Sequence, residues 1–279
     1  MPQGQPKKAL ALFSKTSDGE AYTAQKELQI TSSFLQFQMT GLGTLINVFA
    51  IAIGGMLGII FGRRLTENHQ KALISACGLC VIFIGIAGCL EQMFRIKDGV
   101  ISTSGVLVVV LSYAVGTLLG TVFDLEGKIE KFGEFLKNKA HRNNDNNFVT
   151  AFVVSSLTVC IGAMAVVGAV QDGIHNDVSI LVAKSILDFV IIFILTASLG
   201  IGCAFSAIPV GLFQGSITLL AVFIEPILTA KALEYLSMTG SMLIFCVGIN
   251  LVFGKKFEVA NMLPVLLIAV LFAYVPSFE

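Results

Sequence analysis

The stretch Gly43–Phe61, GTLINVFAIAIGGMLGIIF, decides the fold class of this chain. It holds no charged residue, and it is close to the roughly 20 residues that an α-helix needs to cross about 30 Å of hydrocarbon. Inside lipid every backbone N–H and C=O must be satisfied within its own segment, so such a run becomes a helix. The stretch therefore predicts a transmembrane helix.

Similar apolar runs recur along the chain, which is 55% hydrophobic and 13% charged and has a mean hydropathy of +0.86. The candidate spans are Gly43–Phe61, Ala72–Leu90, Gly105–Phe123, Phe148–Val170, Ile180–Phe205, Val210–Ala230, Leu236–Phe253 and Asn261–Val275. The last is short and holds Pro264, so seven spans remain an alternative to eight. The predicted fold class is all-α: a polytopic helical membrane protein with seven to eight transmembrane helices.

The first part of the chain differs from the rest. Residues 1–38 are polar, carry four lysines and contain no apolar core of the signal-peptide type. We expect this tail to be disordered and dispensable, and residues 39–279 to form one helical transmembrane domain.

The orientation follows from lysine and arginine in the short loops, which favour the cytoplasm. Loops after odd-numbered spans hold ten such residues: Arg63, Arg64, Lys71, Lys128, Lys131, Lys137, Lys139, Arg142, Lys255 and Lys256. Loops after even-numbered spans hold three: Arg95, Lys97 and Lys231. This bias predicts that the odd loops are cytoplasmic and that both termini lie outside.

The longest cytoplasmic loop, residues 124–147, begins with an amphipathic pattern. Leu125, Ile129, Phe132 and Leu136 follow one another at helical spacing. We expect a helical extension of the third span that lies at the membrane interface, followed by a flexible polar linker.

Small residues recur at matching places in the odd-numbered spans. Gly54 and Gly58 in the first span align with Gly116 and Gly120 in the third, at an offset of 62 residues, and Gly202 belongs to a weaker copy in the fifth. Small residues four apart let membrane helices approach closely. The pattern predicts helix packing at these glycines and parallel pseudo-repeats, although such spacing is also common in unrelated membrane helices.

Charged residues stand out in the fifth span. Lys184 and Asp188 are four residues apart and so share one helix face. Ionisable residues inside hydrocarbon cost roughly 2.5–3.5 kcal/mol each, so they usually have a function. Lys184 has the alternative of extending to the interface, whereas Asp188, about 12 Å into the span, is too short to do so. We expect Asp188 to face protein or water.

Further polar residues are predicted to join this pair in the outer half of the membrane. They are Asn47, Gln171, Asp172 and Glu225, although Asp172 and Glu225 also suit a helix end and a kink. Gln214, Asn250 and Asn261 are expected to form a second polar layer on the inner side. We interpret the outer set, with Gln214, as candidates for substrate binding or ion coupling.

Several function classes are disfavoured. The net charge is zero, and no basic tract is large enough for nucleic-acid binding. The six cysteines lie in apolar segments and predict neither disulfides nor a metal site. The chain contains neither G-x-S-x-G nor H-E-x-x-H, so we expect no enzyme, no catalytic residues and no cofactor.

Three segments carry a family resemblance: GTLINVFAIAIGGMLG, ILVAKSILDF and NMLPVLLIAV. They resemble a bacterial family catalogued as domain of unknown function 554, which includes the YqgA-like proteins, and the likeness runs from about Met39 to Val275. The resemblance implies a multi-pass protein of the bacterial cytoplasmic (inner) membrane, sometimes described as a transporter. It supplies no substrate or mechanism, but Asn47, Lys184 and Asp188 lie in the matching segments.

The predicted function is transport, as a transporter or channel, of a small polar or charged solute. In that hypothesis Asp188 couples to protons or cations, and Lys184 serves as its counter-charge or as an anion ligand. The alternative is a membrane sensor or assembly factor that does not transport, in which Lys184 and Asp188 form a structural pair. The expected partners are the lipid bilayer and an unidentified solute, and the sequence leaves the oligomeric state open, a homo-oligomer included.

Overall fold

The computed structural model describes residues 40–97, 100–142 and 144–275. The N-terminal tail predicted for residues 1–38 lies outside the described residues. Most of the described chain is helical, in eleven α-helices. Their bounds are α1 Leu42–Gly62, α2 Glu67–Met93, α3 Val106–Val122, α4 Leu125–Lys139, α5 Phe148–Cys160, α6 Ala163–His175, α7 Ser179–Leu199, α8 Ala207–Leu219, α9 Ala221–Ile224, α10 Ala230–Phe253 and α11 Pro264–Phe272.

Short elements complete this part of the chain. The 3₁₀ helices Ile201–Ser206, Glu225–Ile227 and Val259–Met262 follow α7, α9 and α10. Between α2 and α3 the strands β1 (Phe94–Lys97) and β2 (Val100–Thr103) pair antiparallel, with Phe94 opposite Thr103. This hairpin, which the sequence analysis did not predict, leaves the all-α class unchanged.

The all-α, polytopic class is confirmed. Within the described residues five helices are long and apolar enough to cross a membrane, and the number rises to seven if each of two bent helix pairs counts as one crossing. Val259–Phe272, at the place of the predicted eighth span, is a shorter apolar helix. The predicted amphipathic extension of the third span is α4, which bends by 52° from α3.

Three predicted spans are wrong in detail. The fourth, Phe148–Val170, is broken into α5 and α6, whose axes differ by 62°. The fifth was predicted to reach Phe205, but α7 ends at Leu199. The sixth was predicted to reach Ala230, but α8 ends at Leu219. At the first break Gly162 has a φ of 140°, a backbone conformation that side chains disfavour. Hydropathy does not register such breaks, because the residues on both sides are equally apolar.

Helices pack in pairs through small residues. The helices α1 and α7 run in the same direction, since Gly43 faces Leu181 near their beginnings and Gly62 faces Ala197 near their ends. The helices α2 and α10 run antiparallel, as do α3 and the segment 259–272. The largest cluster of buried apolar side chains surrounds α5, where Phe148 and Phe152 are at most 1% exposed.

Candidate functional site: a buried ion pair beside a broken helix

Lys184 and Asp188 lie one turn apart on α7 and form an ion pair inside the bundle, with side chains only 7% and 6% exposed. Lys184 Nζ donates to Asp188 Oδ2 and, at 2.8 Å, to the backbone carbonyl of Val159 on α5. Asn47 Nδ2 on α1 donates to the same Asp188 oxygen at 3.0 Å and to Gln214 Oε1 on α8 at 3.2 Å. Four helices thus build one polar group, which we call the Asp188 cluster: Asn47, Lys184, Asp188, Gln214 and the Val159 carbonyl.

Two buried amide atoms of the Asp188 cluster have no hydrogen-bond partner. They are Asn47 Oδ1, an acceptor, and Gln214 Nε2, a donor. Asn47 is 0% exposed and Gln214 is 1% exposed, so protein surrounds both side chains. A buried polar atom without a partner costs about 1–3 kcal/mol. The cluster therefore offers one acceptor and one donor to a bound molecule.

The Asp188 cluster lies beside the break between α5 and α6. Val159 belongs to the last turn of α5, whose final carbonyls have no partner within the helix and carry partial negative charge. The Lys184 ammonium satisfies one of these carbonyls. Non-helical backbone at membrane depth is tolerated where protein groups or a water-filled cavity satisfy it. The Lys184 ammonium therefore satisfies part of the backbone that the break exposes, and the end of α5 provides an acceptor for the buried ammonium.

Asp172 caps the beginning of α1. Its Oδ1 accepts from the Gly41 N–H at 3.3 Å, its Oδ2 accepts from the Gly43 N–H at 3.1 Å, and the residue is 0% exposed. A carboxylate at this position also interacts favourably with the helix dipole. Nearby, the hydroxyls of Thr44 and Thr218 are 3.4 Å apart. We call this end of the bundle the Asp172 end.

Apolar side chains close the other side of the Asp188 cluster. We call the four buried residues Ile51, Val159, Ile192 and Val210, which pack together and are at most 1% exposed, the apolar layer. On α1, α7 and α8 they lie four residues, or one helical turn, from the polar residues of the Asp188 cluster. The apolar layer therefore separates the cluster from the ends of α1 and α7.

A second charged group lies beyond the apolar layer, at the end of the bundle opposite the Asp172 end. Lys255 Nζ is 3.1 Å from both Glu126 Oε1 and Glu130 Oε1, and its side chain is 55% exposed. Glu126 also accepts from the Ala260 N–H at 3.0 Å, while its own N–H donates to Asn261 Oδ1 at 2.9 Å. We call Glu126, Glu130, Lys255 and Asn261 the Lys255 cluster. Three of these residues line a cavity of about 320 Å³, whose remaining lining is largely apolar and includes four apolar side chains of α5.

The Lys255 cluster was not predicted from the sequence, in which Lys255 counted only as one of the charged loop residues. The spacing of Glu126 and Glu130, four apart on a helix, was the available signal for a shared face. Partial burial lowers the pKa of Lys255, but its hydrogen bonds to Glu126 and Glu130 raise it more, so the pKa lies above its ordinary value.

A match to the family described as "Protein of unknown function (DUF554)" covers residues 42–274. The chain belongs to this family. It is 28% identical over 226 residues to the "Uncharacterized membrane protein YdfK" of Bacillus subtilis (strain 168). The aligned residues cover 81% of this chain and 93% of YdfK. It is 29% identical over 232 residues to the "Uncharacterized protein YqgA" of Escherichia coli (strain K12), and the aligned residues cover 82% of this chain and 94% of YqgA.

No solved structure matches this chain. The membrane-protein relative and the apolar helices together show a multi-pass membrane protein of the DUF554 family. The predicted family membership is therefore confirmed.

Of the remaining candidates predicted for the outer half of the membrane, two lie apart from the Asp188 cluster. Glu225 is exposed in its short 3₁₀ helix. Gln171 is half-buried, and its backbone carbonyl accepts from the Asp177 N–H at 3.3 Å. Asp177 is exposed, and hydrogen bonds from the Ser179 hydroxyl and N–H hold its pKa below the ordinary value.

The expected inner polar layer of Gln214, Asn250 and Asn261 is not one layer. Gln214 belongs to the Asp188 cluster, because α8 ends earlier than predicted and Gln214 lies nearer its middle. Asn250 instead bonds the backbone of Lys256 and Phe257, and Asn261 joins the Lys255 cluster.

The glycines of α1 lie in its contact with α7. A Cβ at Gly54 would lie 2.7 Å from the Phe189 carbonyl oxygen, and one at Gly58 would lie 2.6 Å from the Phe193 carbonyl oxygen. Because backbone cannot retreat as a flexible side chain does, only glycine fits there. This close approach brings Asn47 within reach of Asp188.

The other candidate glycines lie in different contacts. Gly116 and Gly120 face the segment 259–272, and Gly202 faces the beginning of α5. The glycines of the first span therefore pack against a different helix than the glycines of the third span do. The pseudo-repeat stays a prediction.

Proposed function

We propose that this protein is a transporter or channel for a small polar or charged solute, with the Asp188 cluster as its binding site. The observation that carries the proposal is a buried ion pair whose neighbouring amides keep one unpartnered acceptor and one unpartnered donor. Ionisable residues inside a membrane are costly and usually functional. Under this proposal the protein is not an enzyme, and its partners are the bilayer and the solute.

The broken helix supports a moving site. Transporters commonly bind substrate at discontinuous helices, where the ends of half-helices meet the solute. Here α5 ends at the Asp188 cluster, and Gly162 lies at the break between α5 and α6. The apolar layer closes the cluster on one side, so passage requires α5, α7 or α8 to shift. Alternating access is the mechanism that fits this arrangement.

The proposed location is the bacterial cytoplasmic membrane, with both termini outside. The excess of lysine and arginine in the odd loops supports this orientation. In it the Asp172 end faces the outside and the Lys255 cluster faces the cytoplasm. The solute then reaches the Asp188 cluster from the Asp172 end and leaves past the apolar layer.

A second candidate is a sensor or assembly factor that does not transport. The observation in its favour is that Lys184 bonds both Asp188 and the Val159 carbonyl, which ties α7 to α5. A structural pair of this kind tolerates joint replacement by apolar residues of similar size.

Thermal unfolding of the purified protein against a panel of amino acids, organic acids, amines, sugars and salts tests the proposal. A bound solute stabilises the native state, by about 2.7 kcal/mol at 100 times its dissociation constant. We expect at least one solute to stabilise wild type but not Asp188→Asn, and proteoliposomes to accumulate that solute. The exposed carboxylate variant Asp177→Asn is the matched control and should behave as wild type. Stabilisation that survives Asp188→Asn, or none at all, contradicts the proposal.

A further inference from the structure

The outward face of α4 carries lysine and phenylalanine side chains and no carboxylate. At 3.6 residues per turn, five exposed residues share a sector of about 100° around the helix axis: Lys128, Lys131, Phe132, Phe135 and Lys139. The rings of Phe132 and Phe135 stack with their centres 6.5 Å apart, and Phe135 is 57% exposed. We call these five residues the basic face.

The carboxylates of α4 lie away from the basic face. Glu126 and Glu130 are on the opposite side of the helix, where each has an oxygen 3.1 Å from Lys255 Nζ. Glu134 is exposed on the flank, about 100° from the middle of the basic face. Asp124, just before α4, accepts from a backbone N–H of the first turn. Among the described residues, no carboxylate forms an ion pair with a lysine of the basic face.

The inner side of α4 is fixed to the rest of the bundle. Gly133 is buried against α5, where an added Cβ would lie 2.9 Å from the ring of Phe152. The rings of Phe132 and Phe152 meet edge to face at 5.9 Å. Leu136, one turn further, is buried in the same apolar cluster as Phe152. This packing and the ion pairs with Lys255 hold the basic face outward.

The basic face begins at the end of an apolar helix. Lys128 Nζ lies 5.9 Å from the centre of the Phe123 ring, and Phe123 directly follows α3. Phe123 and Val122 are exposed, and α3 contains no charged residue. The axis of α4 bends by 52° from that of α3. A helix that leaves an apolar span at this angle runs partly along the membrane surface, where aromatic rings and lysines are favoured.

The basic face combines two chemistries that a membrane surface offers together. Lys139 Nζ is 5.8 Å from the centre of the Phe135 ring, so this lysine lies over an apolar ring while its ammonium stays accessible. A soluble anion would contact the ammonium groups alone and leave the exposed rings in water. A surface of anionic lipids supplies phosphates to the lysines and apolar depth to the rings.

We propose that the basic face binds the headgroups of anionic phospholipids in the leaflet beside the end of α3. In the orientation proposed above this is the cytoplasmic leaflet. Each lysine close to an anionic membrane surface strengthens binding by about fivefold. Binding of this kind requires only that the protein lies in a membrane, and it is independent of whether the Asp188 cluster binds a solute.

Tryptophan fluorescence in bilayers tests the proposal, because the chain contains no Trp. Phe135→Trp places a single fluorophore in the basic face of the full-length protein. The bilayers are phosphatidylcholine with a minor fraction of brominated lipid, either phosphatidylglycerol or phosphatidylcholine. We expect brominated phosphatidylglycerol to quench more strongly at equal fraction, and the difference to fall with added NaCl. Phe83→Trp, exposed on α2 in a segment without charges, is the matched control, which both lipids should quench equally.

Lysine variants in the Phe135→Trp background show which charges act. Lys131→Gln should lower the apparent affinity for phosphatidylglycerol about fivefold. Joint replacement of Lys128, Lys131 and Lys139 by glutamine should remove the preference over phosphatidylcholine. Lys137→Gln is the matched control, because Lys137 lies on the opposite side of the same helix, and it should change the affinity little.

Three results would overturn the proposal. One is equal quenching of Phe135→Trp by the two brominated lipids, or a preference for phosphatidylglycerol that survives the triple replacement. Another is no quenching by either lipid, which would show that water or a second copy of the chain covers the basic face. The third is relief of the quenching by inorganic phosphate but not by NaCl of the same ionic strength, which would show that the face binds free anions instead of a membrane.

Discussion

Two lysine–carboxylate clusters in the part of the chain that the structure describes lie in opposite environments. In the Asp188 cluster both side chains of the ion pair are less than a tenth exposed, and apolar residues close one side of it. In the Lys255 cluster the lysine side chain is 55% exposed. A buried charge depends on its partner far more than an exposed one, since water replaces a partner lost at the surface. Removing a lysine should therefore lower the free energy of unfolding far more in the Asp188 cluster than in the Lys255 cluster.

The largest expected effect is that of Lys184→Met. It leaves Asp188 as a buried charge and the Val159 carbonyl without its donor, so the free energy of unfolding should fall by about 3–5 kcal/mol. Adding Asp188→Leu removes the stranded charge and should restore most of the loss. Unfolding by denaturant in detergent micelles measures both variants. A loss below about 1 kcal/mol for Lys184→Met would mean that the buried pair behaves like a surface pair.

The next effect concerns the helix contact that holds the Asp188 cluster together. In Gly54→Ala the added Cβ meets the Phe189 carbonyl oxygen at 2.7 Å, and overpacking of this kind costs about 1–3 kcal/mol. Gly215→Ala on α8 is the matched control, since nothing lies within 4 Å of its Cβ. There the helix should gain about 0.5–1 kcal/mol. Equal thermal midpoints for the two variants would contradict the tight α1–α7 contact.

A smaller effect is expected within the Lys255 cluster, for Glu126→Gln. The carboxylate accepts from the Ala260 N–H and pairs with Lys255, and glutamine keeps only the neutral hydrogen bond. We expect a loss of about 1–1.5 kcal/mol, the difference between a hydrogen bond with a charged partner, about 1.5–3 kcal/mol, and a neutral one, about 0.5–1.5 kcal/mol. Glu130→Gln, whose side chain is 44% exposed, is the control and should change the thermal midpoint less. The reverse order would show that Glu130 is the main partner of Lys255.

The smallest effect is expected for Lys255→Met. Because the lysine is largely exposed, solvent screening limits its contribution to about 0.2–1 kcal/mol, and salt should reduce it further. The pKa of Lys255 is raised in the native state. Its contribution to the free energy of unfolding is therefore fully present below its pKa in the unfolded chain, about 10.4. That contribution is lost as the pH rises through the native pKa.

Unfolding midpoints of wild type and Lys255→Met across pH 8–11.5 measure this last effect. The difference between the two proteins should stay constant up to about pH 10 and then disappear. A difference that grows with alkaline pH would contradict the raised pKa.

The sequence by itself determined the membrane class, the approximate places of the apolar helices and the common face of Lys184 and Asp188. These depend on local quantities: the transfer free energy summed over one segment, and the helical period. The family resemblance, from about Met39, was likewise a property of the sequence and agrees with the match over residues 42–274.

Only the tertiary structure decided which groups the charges meet. Asn47 and Asp188 are 141 positions apart, and their contact depends on the register of α1 against α7. The break at Gly162, the capping of α1 by Asp172 and the place of Gln214 beside Asn47 likewise follow from how the helices pack. Hydropathy is a sum over neighbours along the chain, whereas a buried polar group is satisfied by neighbours in space.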